Sequence, residues 1–241
     1  MRAESQLTRK QVLLRIGAVC LVVGSLLVMT FRTLHGDLPA DEGGAAALRF
    51  VASYPLYRPV HLGDVLGFLI FASGLFALSD SLTHSVAWAV GRLGAASVLV
   101  GVAVHITEFS ADGYALTTLA HTWAVASPSA RPTLEFSADV ALAILGGPAT
   151  VSLSVVWGST LALYGLAVMK EGYSRWLGWM GMALGAVIFV LGTTQFLQPN
   201  IFPGVLLYGG GTWVAHLWAI VLGIAMWHRA GAVTVANVPQ P

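Results

Sequence analysis

Polar and apolar positions in this chain alternate on the scale of a membrane thickness. Apolar runs of about 20 residues, the length that crosses a hydrocarbon core, recur six times. They fall at about 16–34, 61–79, 87–109, 148–169, 176–197 and 205–227. A basic arm, residues 1–15, precedes the first run and sets Arg2, Arg9, Lys10 and Arg15 against Glu4. No small-x-small cleavage site follows cleanly, so that run reads as a membrane helix rather than a signal peptide. His35–Val60 is a polar connection, and its middle, Ala45–Ser53, has the makings of a short interfacial helix. Ala111–Arg131 is expected to lie as a helix on the outer surface. Thr133–Leu145 begins a further helix, which Gly146–Gly147–Pro148 should break or kink. Residues 229–241, with Pro239 and Pro241, are expected to form a disordered cytoplasmic tail. The expected fold is all-α: a polytopic membrane protein with six transmembrane helices and short outer-surface helices.

Composition agrees with that pattern. Of 241 residues, 56% are hydrophobic and only 10% charged, and the mean hydropathy is +0.77. A net charge of +1 gives no reason to expect a nucleic-acid partner. A single cysteine, Cys20, excludes an internal disulfide and any Cys-based zinc or iron–sulfur site. Basic residues divide unevenly between the two sides. The N-terminal side collects Arg2, Arg9, Lys10, Arg15, Arg92, Lys170, Arg175 and Arg229, and the other side Arg32, Arg49, Arg58 and Arg131. The positive-inside bias therefore predicts both termini in the cytoplasm, and the expected location is a bacterial cytoplasmic (inner) membrane. Its expected partners are the lipid bilayer and other membrane proteins or further copies of itself.

Chemistry concentrates at one end of the third run. His105, Glu108 and Asp112 fall within an arc of roughly 60° on a helix advancing 100° per residue. Gly101, Ser97 and Gly94 extend that stripe, and Val98, Val100, Val102 and Ile106 form the side suited to lipid or apolar packing. A charge at membrane depth costs several kcal/mol unless it faces protein or water, so the stripe should face inward. The topology brings further groups to similar depth: His61 and Asp64 open the second span, His216 lies on the sixth, Gln195 ends the fifth and Asp139 precedes the fourth.

Several chemistries fit this set. His61-x-x-Asp64 and His105-x-x-Glu108 each place an imidazole and a carboxylate one turn apart, and with His216 they form a candidate divalent-metal site of mixed N/O donors, suited to zinc, iron or manganese. Alternatively, Glu108 or Asp112 serves without metal as a catalytic acid on a lipid or isoprenoid, or as a proton carrier in a small transporter. Haem held between His105 and His216 is a third reading. Against all three stands an accessory or structural membrane-complex subunit in which these groups merely tie helix ends together. Whether the protein is an enzyme is left open by the sequence.

Weaker patterns add less. Ala215–Gly223 resembles the histidine helix of rhomboid proteases, but Trp157–Gly158–Ser159–Thr160 does not supply the Gly-x-Ser-Gly nucleophile turn, which excludes a rhomboid-type Ser–His protease. The second and fourth spans share a glycine at Gly74 and Gly165, and the third and fifth align Gly94 with Gly181, suggesting a duplicated hairpin. The segments from His61 to Phe68, Asp112 to Leu116 and Ser174 to Trp179 resemble a family of bacterial, actinobacterial-type multi-pass integral membrane proteins of unknown function. The resemblance covers residues 55–225 or so. It implies the six-span helical fold and no activity.

Overall fold

A computed structural model describes residues 2–199, 201 and 205–235. Those residues contain helices and no strand. The helices are α1 (Arg2–His35), α2 (Gly44–Ser53), α3 (Tyr57–Ser81), α4 (Ser85–Ala111), α5 (Thr117–Val125), α6 (Arg131–Val151), α7 (Thr160–Lys170), α8 (Arg175–Leu197) and α9 (Gly211–Val235). Six helical segments are long and apolar enough to cross a membrane. The protein is an all-α polytopic membrane protein.

Neighbouring helices pack in the order α9–α1–α3–α4–α7–α8, and a thinner contact between α8 and α9 closes the ring. Glycines set the close approaches. A Cβ on Gly24 of α1 would sit 2.6 Å from the Phe71 Cα of α3, and one on Gly165 of α7 would sit 2.6 Å from the Met182 N of α8. Without a hydrophobic force between helices in lipid, such backbone contact is what holds them together. Inside the ring, Leu21, Phe68, Leu75, Val156, Trp157, Leu161, Tyr164, Trp218 and Leu222 form the core. Two large polar side chains of this core are satisfied internally: Tyr164 Oη donates to the Leu75 carbonyl at 2.9 Å and Trp218 Nε1 to the Leu177 carbonyl at 3.0 Å. Val98, expected on the lipid side, belongs to this core instead; it lies seven residues before His105 and so within about 20° of it on the helix.

Two helical runs are longer than the sequence suggests. Asp112–Leu116 is a wide, π-type turn that passes α4 directly into α5 without a break, giving one continuous run of 41 residues from Ser85 to Val125. Gly146–Gly147–Pro148 does not break α6, which continues through a second wide turn, Ser152–Ser159, into α7. At 1.5 Å per residue such a run is about 60 Å long, about twice the hydrocarbon thickness. The excess leaves the bundle at one end, where α5 and α6 pack with α2 into a cap with its own core of Leu48, Val51, Tyr57, Leu116, Ala120 and Ala138. The segment Ala111–Arg131, expected as a separate surface helix, is thus mostly a projection of α4. Asp139 of α6 accepts the Gly44 N–H at the start of α2 at 2.6 Å, and Trp123 Nε1 donates to Glu135 at 2.9 Å. At the other end, α1 starts at Arg2 and α9 runs on to Val235, so much of the expected arm and tail is helical. Residues 236–241 of that tail lie outside the described residues.

The end opposite the cap is held by one buried carboxylate. Glu171, in the α7–α8 turn, accepts the backbone N–H groups of Thr83 and His84, each at 2.9 Å, the Thr83 hydroxyl at 2.8 Å and Lys10 Nζ at 3.0 Å. Its own carbonyl accepts Arg229 at 2.7 Å. One residue therefore joins α1, the α3–α4 turn, the α7–α8 turn and α9. Burial alone would raise its pKa, but the His84 and Thr83 N–H groups, the Thr83 hydroxyl and Lys10 outweigh it and hold the carboxyl below the usual range. A carboxyl depressed in the fold stabilises it above the unfolded-chain value, about 4.5, and that contribution disappears as pH falls through the folded value. Glu171→Ala should cost about 3–5 kcal/mol at neutral pH, read as a lower unfolding midpoint in detergent, and its gap from wild type should close only in acid below the usual carboxylate range. A gap that stays constant down to strong acid would contradict this.

Candidate functional site

The cap-proximal ends of α1, α3 and α4 carry the ionisable groups. His35 ends α1, and Gly36 follows with φ of +71°, a conformation that L side chains rarely adopt. That turn brings the Gly36 carbonyl to 2.8 Å from His35 Nδ1. On the first turn of α3, His61 Nδ1 lies 2.7 Å from the Tyr57 carbonyl. A carbonyl oxygen only accepts, so both rings carry hydrogen on Nδ1, and a ring without a second proton turns the lone pair of Nε2 inward. The two Nε2 atoms lie 3.2 Å apart. Asp112 Oδ2 faces them, 3.1 Å from His61 Nε2 and 3.6 Å from His35 Nε2. Its other oxygen accepts Tyr57 Oη at 2.6 Å.

The wide turn at Asp112 makes this arrangement available. Residues that open an α-helix into a π-type turn recur at functional sites, and here the turn sets Gly113 directly against His61. A Cβ at Gly113 would stand 2.5 Å from the His61 Cβ, so a side chain there would displace the imidazole. His35 and His61 are buried, and the Asp112 side chain retains 18% exposure. The cluster is thus reached from the side of its carboxylate.

The residues singled out from sequence do not converge on one point. His61 belongs to the cluster just described, with Asp112, whose sequence role was that of an acid. Asp64 and His105 form a separate buried pair one turn deeper, with His105 Nε2 2.7 Å from Asp64 Oδ1. His216 is fully buried, its Nδ1 3.1 Å from Ser25 Oγ and its ring between Phe71 and Trp157, each 4.9 Å away. Phe68 and Trp157 fill the space between His105 and His216, with ring centroids 4.2, 5.5 and 4.9 Å apart along the series. That stack leaves no slot for a porphyrin, and the haem reading fails on geometry. Glu108 lines a small cavity with Arg32, Asp64, His105, Ser152, Tyr208 and Thr212. Among the described residues, the group with metal-ligand spacing is His35, His61 and Asp112.

His35 is the residue that sequence reasoning missed. It ends the first span where the chain was read as a polar connection, and no motif spacing links it to His61, 26 residues on. The available signal was depth alone: a histidine in the exit turn of a membrane helix, level with the entry of the next.

Asp64 and His105 share one buried bond, so removing either partner strands the other. His105→Ala should lower stability by about 3–5 kcal/mol, read as the unfolding midpoint in detergent. Asp64→Leu combined with His105→Leu should lose much less than the sum of the two single changes. Additive losses would show that the pair is not coupled.

Comparison with family models, with curated proteins and with solved structures finds no match for this chain.

Proposed function

We propose that this is an integral protein of the bacterial cytoplasmic membrane that binds a divalent transition-metal ion at His35, His61 and Asp112, near the outer leaflet. The distribution of basic residues supports that orientation, with eight on the side of both termini and four on the side of the cap. The observation that carries the metal reading is the convergence of two imidazole lone pairs and a carboxylate oxygen. Three acceptors within 3.1–3.6 Å of one another repel unless a positive charge lies between them.

The dimensions suit an ion. Edges of 3.1, 3.2 and 3.6 Å lie on a circle of radius about 1.9 Å, just under the zinc–nitrogen bond of about 2.0–2.1 Å. An ion at bonding distance would thus sit slightly out of the plane of its ligands. The same edges match the spacing of about 3.3–3.4 Å between ligands of a tetrahedral ion with such bonds. The outer hydrogen bonds follow the usual pattern, each imidazole anchored through Nδ1 to a carbonyl and the carboxylate anchored by a tyrosine. Two nitrogens and one oxygen favour zinc, ferrous iron or manganese over a soft cuprous ion. Three protein ligands leave a coordination position for water or a ligand atom, the hallmark of a working rather than a purely structural zinc site.

Metal analysis of the purified protein after exposure to zinc or cobalt tests the reading. The wild type should retain stoichiometric metal after desalting, and His35→Ala, His61→Ala and Asp112→Ala should fall to background. His121→Ala, an exposed α5 histidine, and His105→Ala should retain the ion. Tyr57→Phe should bind about 10–100-fold more weakly. Metal-free wild type, or retention by all three ligand variants, would sink the proposal. A protonated histidine pair would then be the remaining account of the contacts.

A further inference from the structure

A second site lies one helix turn deeper than the histidine cluster and has a different chemistry. Asp64 is 1% exposed. Its Oδ1 is satisfied by His105, but among the described residues its buried Oδ2 has no hydrogen-bond partner. A carboxylate oxygen stripped of water and left unpaired is costly, so something belongs beside it. Asp64 borders a cavity of about 30 Å³ between α1, α3, α4, the Ser152–Ser159 turn and α9. A water-sized occupant needs about 10–15 Å³ of such volume, so the cavity takes a single small guest and not an organic molecule.

The walls define the guest. Glu108 offers a second carboxylate, and Ser152, Tyr208 and Thr212 offer hydroxyl oxygens. An all-oxygen set of this kind is hard and discriminates against the soft or borderline metals that imidazole prefers. Charge restricts it further. With both carboxylates ionised and His105 neutral, the lining carries one net negative charge against the single guanidinium of Arg32. A divalent ion would over-neutralise the cavity, and magnesium would need room for the several waters it keeps.

We propose that this cavity is a binding site for a dehydrated monovalent alkali cation, of sodium size, held by Asp64 and Glu108 with the Ser152 and Thr212 hydroxyls. The site is independent of the metal reading at His35, His61 and Asp112. The two differ in donor type, in charge and in the residues that build them, and they share only the helices α1, α3 and α4.

The test is binding of radiolabelled sodium to the full chain purified in detergent, with choline chloride keeping ionic strength constant, and transition-metal content measured on the same samples. Wild type should bind sodium saturably and unfold at a higher temperature in sodium than in choline. Asp64→Asn should weaken sodium binding by at least about tenfold, which corresponds to 1.4 kcal/mol. Thr212→Val and Ser152→Ala, which keep both carboxylates and so serve if Asp64→Asn does not fold, should each weaken it severalfold. His61→Ala should lose transition metal and keep sodium. Wild type that binds no more sodium than a choline-washed blank, or whose sodium binding survives both hydroxyl changes, overturns the proposal. Protons taken up with no sodium response overturn it too, since the missing charge would then be a proton on His105 or Glu108. Loss of transition metal in His61→Ala alongside absent sodium binding in wild type would leave the metal site standing and remove only this one.

Discussion

A carboxylate cannot face hydrocarbon, and that single prohibition fixes how α3 and α4 are turned. Asp64, Glu108 and Asp112 lie on two adjacent antiparallel helices, so satisfying them means pointing both polar stripes into the same seam. Once the seam is closed, the rest of each helix has little choice. The glycines of the α4 stripe come to lie against neighbours: a Cβ on Gly94 would stand 2.9 Å from the Tyr164 ring, and one on Gly101 would overlap Val156 Cγ1. The hydroxyls between them close a small network, Ser97 with Ser159 at 2.7 Å and Thr160 with Ser97 at 2.9 Å. Polar and small positions of α4 therefore do one job at different depths. The small ones admit α7, and the polar ones meet partners that α7 and α3 supply.

The same stripe explains why the cluster at the cap end needs an irregular helix. A straight α-helix carries residue 112 about 20° from residue 105, which would hold both over the same strip of α3. The wide turn from Asp112 to Leu116 relaxes that register and adds room under the chain, which Gly113 leaves empty for the His61 ring. Asp112 can then reach across to α1 and meet His35, so that one carboxylate engages two other helices. Tyr57 holds its far oxygen from the first turn of α3. Local backbone irregularity is thus what converts a two-helix contact into a three-helix site.

Much of this was legible in the chain and some was not, for identifiable reasons. Six spans follow from apolar length, and the inward stripe of α4 follows from the cost of charge in lipid. Both depend only on local composition. The extension of α4 into α5 was not legible, because Asp112–Gly113 reads as a turn when only propensity is counted, whereas tertiary contacts with His61 and α2 keep it helical. Pro148 likewise reads as a break; in the fold it is absorbed ahead of a wide turn. The division of His61, Asp64, His105 and His216 among three environments was hidden for a different reason. Helical spacing gives depth and face, but two residues three apart on α3 point to different neighbours once α1 is in place, and the sequence does not say that His35 comes with it.

The two ends of the bundle are built on opposite principles. At the end away from the cap, one carboxylate from a tight turn accepts four hydrogens from α1 and the α3–α4 turn, and the carbonyl of the same residue accepts one from α9. Every partner there is a donor, so the network is complete without a guest. At the cap end, two Nε2 atoms and Asp112 face one another at the upper level, and at the lower an Asp64 oxygen has no partner among the described residues. On the reading proposed above, a cation completes each of these two levels, whereas the Glu171 end needs none.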